Sequence, residues 1–164
     1  MRTKVKKLTS VILAVVMMLG ILTIAPLTVS AATYGDFEYT LEDDYTCTIT
    51  GYNGSAANVT IPSTIYGNKV TRIRYSSFEE NNNLMSVTIP NTVKEIGDSA
   101  FADCYSLSTV TFSNSLKSIG DGAFKKTNLK KVTIPNSVTE IGVYAFSGCE
   151  NLSSLTLSNK LDRI

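Results

Sequence analysis

Apolar positions in the second half of the chain recur at a fixed distance. Leu84, Leu107, Leu129 and Leu152 begin successive units, with spacings of 23, 22 and 23 residues. A period in this range indicates a solenoid, in which each unit buries its apolar face only against its neighbours. The units run over residues 84–106, 107–128 and 129–151, and 152–164 begins a further one.

Within each unit, other apolar positions line up with those of the neighbouring units. The aligned sets are Val87, Val110, Val132 and Leu155; Ile89, Phe112, Ile134 and Leu157; Val93, Leu116, Val138 and Leu161; Ile96, Ile119, Ile141 and Ile164; and Phe101, Phe124 and Phe146. The order apolar, polar, apolar in Val87, Thr88 and Ile89 predicts a half-buried strand, which Pro90 ends. Residues 93–96 predict a second short strand on the opposite side of the coil.

Two further positions of the unit predict its turns. Gly97, Gly120 and Gly142 stand where the chain must change direction, and we expect positive φ there. Residues 98–101 fit one helical or 3₁₀ turn that places Phe101 in the core.

The repeated pattern Leu-x-x-Val-Thr-Ile-Pro-Asn-x-Val-x-x-Ile-Gly-x-x-Ala-Phe-x-x-Cys, over residues 84–151, resembles the BspA-like leucine-rich repeat family, also called the Treponema type. The resemblance implies a mostly β leucine-rich-repeat solenoid, with parallel strands on a concave face and short second strands and 3₁₀ or helical turns elsewhere. It also implies an exported bacterial protein that binds other molecules.

The residues before the regular units predict an atypical end of the solenoid. Residues 58–83 read as a degenerate first repeat with five extra residues in a surface loop around Tyr66 and Gly67. Terminal solenoid units are often atypical. Residues 32–57 predict a β-hairpin cap, because 37–41 and 45–49 alternate around Glu42, Asp43 and Asp44, and we expect it to cover the edge of the first solenoid strand. The chain stops within a repeat, so we expect it to be a fragment of a longer protein.

The first 31 residues have the pattern of a cleaved secretory signal peptide. Four basic residues precede an apolar run, and small residues stand at Ser30, Ala31 and Ala32. The run is short for a bilayer span, so we expect no membrane span in the mature chain. Without these residues the chain has 11 basic and 14 acidic residues, a net charge of −3, which argues against nucleic acid as a partner.

The sequence offers little for catalysis. It contains no histidine, which removes His-based triads and imidazole metal ligands. Cys104 and Cys149 hold the same repeat position with Thr127 between them, so roughly 10 Å separates them, beyond disulfide reach. We interpret them, and Cys47, as small buried residues. A calcium loop at residues 42–44 lacks the necessary ligand spacing. We therefore predict no enzyme activity, cofactor, metal site or disulfide.

The concave face is the predicted binding surface. Its outward side chains are rich in hydroxyl groups, and a lysine pair adds positive charge: Ser86, Thr88, Thr109, Thr111, Lys130, Lys131, Thr133, Ser154 and Thr156. With Lys125 and Lys126, the lysine pair forms the densest basic cluster. Threonine ladders and solvated lysines are also ordinary features of a stable surface.

Two functions fit this sequence. The first is a non-catalytic module, secreted or held at a bacterial cell surface, that mediates adhesive or protein–protein interactions with a protein or glycan ligand on a host or neighbouring cell. The second is an accessory glycan- or partner-binding module of a larger secreted enzyme whose catalytic domain is absent from this sequence.

Overall fold

The structure is a computed structural model that describes residues 32–162. The predicted signal peptide at 1–31 and the apolar position Ile164 lie outside these residues. Within them the chain forms strands joined by turns. The strands are β1 (Ala32–Tyr34), β2 (Phe37–Leu41), β3 (Cys47–Tyr52), β4 (Asn58–Thr60), β5 (Thr64–Ile65), β6 (Asn68–Ile73), β7 (Ser86–Thr88), β8 (Glu95–Ile96), β9 (Thr109–Thr111), β10 (Ser118–Ile119), β11 (Lys131–Thr133), β12 (Glu140–Ile141) and β13 (Ser154–Thr156).

Each of the four units from 58–83 to 129–151 contributes one strand to each of two sets of parallel strands, and β13 adds a strand to one set, which confirms the predicted solenoid. We call β4, β7, β9, β11 and β13 the first strands, and β6, β8, β10 and β12 the second strands. The second strands form one unbroken ladder in the order β6-β8-β10-β12. The first strands form two separate ladders, β4-β7-β9 and β11-β13.

The interruption lies between units 107–128 and 129–151, which we call the open junction. At the regular junction before it, the amide of Ile89 donates to the carbonyl of Thr111 at 2.9 Å. One junction later, Ile134 donates to Thr156 at 2.8 Å. The amide of Phe112 makes no equivalent bond within residues 32–162. A hydrogen bond between asparagines is interrupted at the same place. The backbone amides of Asn114 and Asn159 each donate to the side-chain oxygen of an asparagine in the preceding unit. Asn136, at the open junction, makes no such bond within residues 32–162.

The predicted hairpin is present at the N-terminal end, as β2 and β3 paired antiparallel, with β1 added outside β2. The expectation about the edge it covers was wrong. Strand β3 pairs in parallel with β6, a second strand, through Cys47↔Val70 and Ile49↔Ile73. The hairpin therefore extends the ladder of second strands, and among the strands of residues 32–162 β4 pairs only with β7.

The extra residues of the degenerate repeat, predicted as a surface loop, form a tight hairpin at the surface. Strand β5 pairs antiparallel with the start of β6. Tyr66 and Gly67 connect them with φ of 48° and 83°, the positive values that a two-residue hairpin turn with the twist of its strands requires. Tyr66 projects from this turn and packs its ring against Tyr34 of the cap at 5.5 Å.

The predicted helical or 3₁₀ turns at 98–101 and its equivalents are plain turns. Two backbone positions in each of the four units from 58–83 to 129–151 have positive φ, four residues apart, and these interrupt any run of helical dihedral angles. The first is held by Ser76, Ser99, Gly122 and Tyr144, and the second by Glu80, Asp103, Lys126 and Gly148.

Gly97, Gly120 and Gly142 serve close packing, and the expectation of positive φ at these residues was wrong. None of the three is among the glycines with positive φ. A Cβ added to Gly97 would lie 2.7 Å from the backbone nitrogen of Tyr75, and one added to Gly120 would lie 2.6 Å from that of Asp98. Successive coils approach too closely at this corner for any side chain.

The predicted apolar columns form the core, and aromatic rings run along it. Phe78, Phe101, Phe124 and Phe146 stack in sequence with centroids 4.8, 5.2 and 5.6 Å apart. Tyr52 of the cap extends the stack, 5.3 Å from Phe78. Burial is incomplete at several column positions: Val110 and Phe146 are half-buried, and Leu155 and Leu157 of the last unit are 42% and 44% exposed.

Candidate binding faces

The predicted binding residues lie on the outer face of the first strands, which we call the first-strand face. In a strand, alternate side chains point to opposite sides, so Val87 and Val132 enter the core while their neighbours face outward. Of the nine predicted residues, eight are exposed and Ser86 is half-buried. Lys130, one of these eight, lies just before β11 and not within the strand.

Strand register places these residues in two tracts. Ser86 lies opposite Thr109, and Thr88 lies opposite Thr111. Lys131 lies opposite Ser154, and Thr133 lies opposite Thr156. The open junction separates the tracts, so the structure does not bring all nine residues onto one continuous ladder.

Two residues that the prediction omitted belong to the first tract. Asn58 and Thr60 of β4 are in register with Ser86 and Thr88, and the Ser86 hydroxyl donates to the Asn58 side chain at 2.6 Å. Residues 59–62 match the strand pattern of the later units, and this match could have identified both residues as part of the binding surface.

The side chains of the first-strand face can form hydrogen bonds and, at the two lysines, ion pairs. Its side chains are hydroxyls, one amide and the Lys130–Lys131 pair. Hydroxyls both donate and accept, and lysine only donates. Such a surface suits recognition of a broad polar partner.

The cysteine positions are buried to different degrees. Cys104 is fully buried, and its Sγ donates to the carbonyl of Phe78 at 3.0 Å. Burial raises the pKa of the Cys104 thiol to about 12, and burial also raises that of Cys47. Both thiols therefore stay protonated and are poor nucleophiles near neutral pH.

Cys149 departs from the interpretation as a buried residue, since it is only half-buried. Its Sγ donates to the carbonyl of Phe124 at 3.1 Å and lies 3.2 Å from the Thr127 hydroxyl. The three cysteines are free thiols.

One lysine of the basic cluster is paired with an acidic residue. Lys126 forms an ion pair with Asp103, with 3.1 Å between Nζ and Oδ1. Lys125, Lys126, Lys130 and Lys131 are all exposed.

Residues 32–162 contain no group of three or more cysteine, aspartate or glutamate side chains placed to hold a metal ion. The carboxylates of the cap hairpin serve its turn instead: Asp44 accepts from the amide and the hydroxyl of Thr46 at 3.0 and 2.7 Å. In the same part of the chain, no helix has the length and apolarity needed to cross a membrane.

Comparison with known proteins identifies the repeat. Residues 52–164 match the family model described as BspA type leucine rich repeat region (6 copies). A comparison with curated proteins finds no match.

The solved structures that are similar to this chain include the following three. A leucine-rich repeat protein from Bacteroides capillosus is 33% identical, with 81% of this chain and 95% of that chain covered and a TM-score of 0.62. The T. pallidum leucine-rich repeat protein is 26% identical, with 82% and 86% covered and a TM-score of 0.62. The pneumococcal vaccine antigen PcpA is 25% identical, with 82% of this chain but 39% of that chain covered and a TM-score of 0.64.

Proposed function

The chain belongs to the BspA-type leucine-rich repeat family, and on that premise we propose that it is a non-catalytic binding module, exported to the bacterial cell surface, whose first-strand face binds a protein. The observation that carries this proposal is the outer row of Thr88, Thr109, Thr111, Lys131, Thr133, Ser154 and Thr156, exposed on consecutive first strands. Repeat folds use extended surfaces of this kind for binding.

The absence of a reactive group on that face supports a binding role over a catalytic one. Its hydroxyls have no histidine to activate them, because the chain contains none. The buried thiols point into the core, where Cys104 bonds to a backbone carbonyl.

Export is supported by the signal-like sequence of residues 1–31 and by the similarity to a vaccine antigen. We expect the exported chain to begin at Ala32 or Thr33, which mass spectrometry of the secreted protein would measure. Recovery of Met1 in the exported protein would contradict the signal-peptide prediction.

The binding proposal is tested with an array of extracellular matrix proteins, including fibronectin, laminin and collagens. Thr111→Arg and Thr133→Arg each place a bulky cation on the first-strand face. Glu140→Arg places the same side chain on β12, among the second strands, and serves as the matched control.

We expect binding to at least one matrix protein, weakened tenfold or more by both threonine variants and unchanged by Glu140→Arg. Absence of binding to every protein on the array, or equal effects of all three variants, would overturn the proposal.

A further inference from the structure

The open junction carries a second feature, a recess formed by the turns of the flanking units. Leu129 follows Phe124 by five residues. In the flanking units the separation is six residues, from Phe101 to Leu107 and from Phe146 to Leu152. Unit 107–128 therefore has a turn one residue shorter than its neighbours, and the surface is recessed there.

The walls of the recess are equivalent residues of the two flanking units. Tyr105 and Glu150 hold the same turn position, since each amide donates to the carbonyl two residues earlier, at 3.1 and 3.0 Å. They are two coils apart, which places about 10 Å between the walls because neighbouring strands are ~4.8 Å apart. The recess has a volume of about 430 Å³ and is lined by Tyr105, Lys126, Thr127, Asn128, Glu150 and Asn151.

The aromatic wall is held in place although it is exposed. Tyr105 is 56% exposed, and its hydroxyl donates to Asp103 at 2.8 Å. The Lys126 ammonium binds the same carboxylate oxygen at 3.1 Å. A Cβ at Gly148 would lie 2.9 Å from Cγ of Lys126, so the glycine leaves room for the lysine stem across the floor.

Amide groups complete the recess. The Asn151 side chain donates to the side chain of Asn128 at 2.7 Å, which fixes both amides beside the ring. Each amide carries donors and an acceptor beyond those used in this bond. The Glu150 carboxylate at the opposite wall adds acceptors only.

These features have the chemistry of a sugar site. The apolar C–H face of a pyranose ring packs on the negative face of an aromatic ring, and planar amides and carboxylates bind its hydroxyls in pairs. The volume falls in the range of about 300–1,000 Å³ that is typical of ligand sites. Because Asp103 neutralises Lys126 and Glu150 adds a negative charge, the recess suits an uncharged sugar better than a sialic or uronic acid.

We propose that the recess at the short turn binds a neutral glycan, with one pyranose ring stacked on Tyr105 and its hydroxyls bonded to Asn128, Asn151 and Glu150. This site goes beyond the protein-binding role of the first-strand face and shares no residue with it. Either site can therefore fail without affecting the other.

Binding should be insensitive to pH across the neutral range. Tyr105 lowers the pKa of the Asp103 carboxyl below its usual 3.8, and Asp103 raises the pKa of Lys126 above its usual 10.5. The stability that ionised Asp103 gives to the contacts with Tyr105 and Lys126 is fully present above pH 3.8 and is lost as pH falls through its lowered pKa. The stability that charged Lys126 gives to the ion pair with Asp103 is fully present below pH 10.5 and is lost as pH rises through its raised pKa.

The test is a ¹⁵N NMR titration of the chain with four neutral tetrasaccharides: maltotetraose, cellotetraose, mannotetraose and the β-1,4-linked N-acetylglucosamine tetramer. We expect at least one of them to shift the amides of Tyr105, Lys126, Asn128 and Glu150, equally at pH 5 and pH 8. Tyr105→Ala should weaken binding about tenfold or more, since it removes the stacking ring. Tyr144→Ala, at an exposed tyrosine outside the recess, should leave binding unchanged.

A second variant keeps the proposal testable if the loss of Tyr105 alters the local fold. Insertion of one serine between Thr127 and Asn128 gives unit 107–128 the turn length of its neighbours and should fill the recess and abolish binding. A thermal unfolding transition matching that of the unaltered chain would show that both variants fold. The proposal is overturned if no tetrasaccharide shifts these amides at 10 mM, or if folded Tyr105→Ala and insertion variants bind as well as the unaltered chain.

Discussion

The regular junction and the open junction join units of nearly the same sequence, yet only the regular one is hydrogen-bonded on both sides. At the regular junction, β7 pairs with β9 and β8 pairs with β10. At the open junction β10 pairs with β12, and β9 and β11 remain apart. On the turn side both junctions are intact, with Phe101 bonded to Ala123 and Phe124 to Ala145, each at 2.8 Å.

The comparison shows that different residues determine the hydrogen bonding on the first-strand side and on the turn side of a coil. Several sequence differences coincide with the open junction. They include the turn shortened by one residue, Phe112 in a column that holds Ile89 and Ile134 in the flanking units, and Ser113 where those units have proline. The glycine corner and the aromatic stack are unchanged there. A coil can therefore lose pairing on one side while the other keeps it attached.

Hydrogen exchange should show the largest difference between the junctions. The amide of Phe112 lacks the ladder bond that Ile89 and Ile134 make at 2.9 and 2.8 Å. We expect the Phe112 amide to exchange on the order of 100-fold faster than either isoleucine amide, because it needs no strand separation to meet water. NMR-detected exchange measures all three, and equal protection would contradict the open junction.

A companion variant separates the effect of the Phe112 ring from that of the short turn. Phe112→Ile restores the side chain of the flanking units without altering the short turn. If the larger ring keeps the strands apart, this variant slows exchange at position 112. If the short turn does so, only the serine insertion after Thr127 slows it.

Aromatic truncation should also distinguish the junctions. Phe101 is fully buried and stacks on Phe78 and Phe124, so we expect Phe101→Ala to lower the free energy of unfolding by about 3–5 kcal/mol. Phe112 is 9% exposed beside the interruption. We expect Phe112→Ala to cost at least ~1 kcal/mol less, since the less constrained strands can relax around the cavity. Urea unfolding measures both, and a larger cost for Phe112→Ala would contradict the comparison.

The glycine corner should give a smaller effect, of the same kind at both junctions. Gly120→Ala would place its Cβ 2.6 Å from the backbone nitrogen of Asp98, and we expect a loss of about 1–3 kcal/mol from overpacking. Gly122→Ala is the control, because its nearest neighbour atom is 3.7 Å away. The same position tolerates Ser99 and Tyr144 at positive φ. Thermal or urea unfolding that ranks Gly122→Ala as the more damaging change would refute the assignment of Gly120 to close packing.

Much of this fold could be predicted from the sequence, because the repeat period identifies which positions are buried. The positions of Val87, Ile96 and Phe101 in the unit, and the outward position of Thr88, follow from alternation and recurrence alone. The conformation of Gly97 did not follow, since a glycine needed for a close contact looks in sequence like one needed for positive φ. That distinction depends on how near the next coil lies.

The candidate sites were predicted unevenly for a related reason. Residues of the first-strand face come from one position repeated in every unit, so the period finds them. The recess depends on a residue that is absent between Thr127 and Leu129, and on Tyr105 and Glu150, which do not resemble each other. The pairing of the cap hairpin with β6 likewise depends on which edge lies nearer in space.

The short turn of unit 107–128 also has an evolutionary consequence. In a single closed core, loss of one residue shifts the register of everything packed after it. Here each coil contacts only its neighbours, and Leu129 resumes the column after the loss. Single-residue insertions and deletions in the turns are therefore small, locally absorbed steps by which such a chain can acquire surface sites one coil at a time.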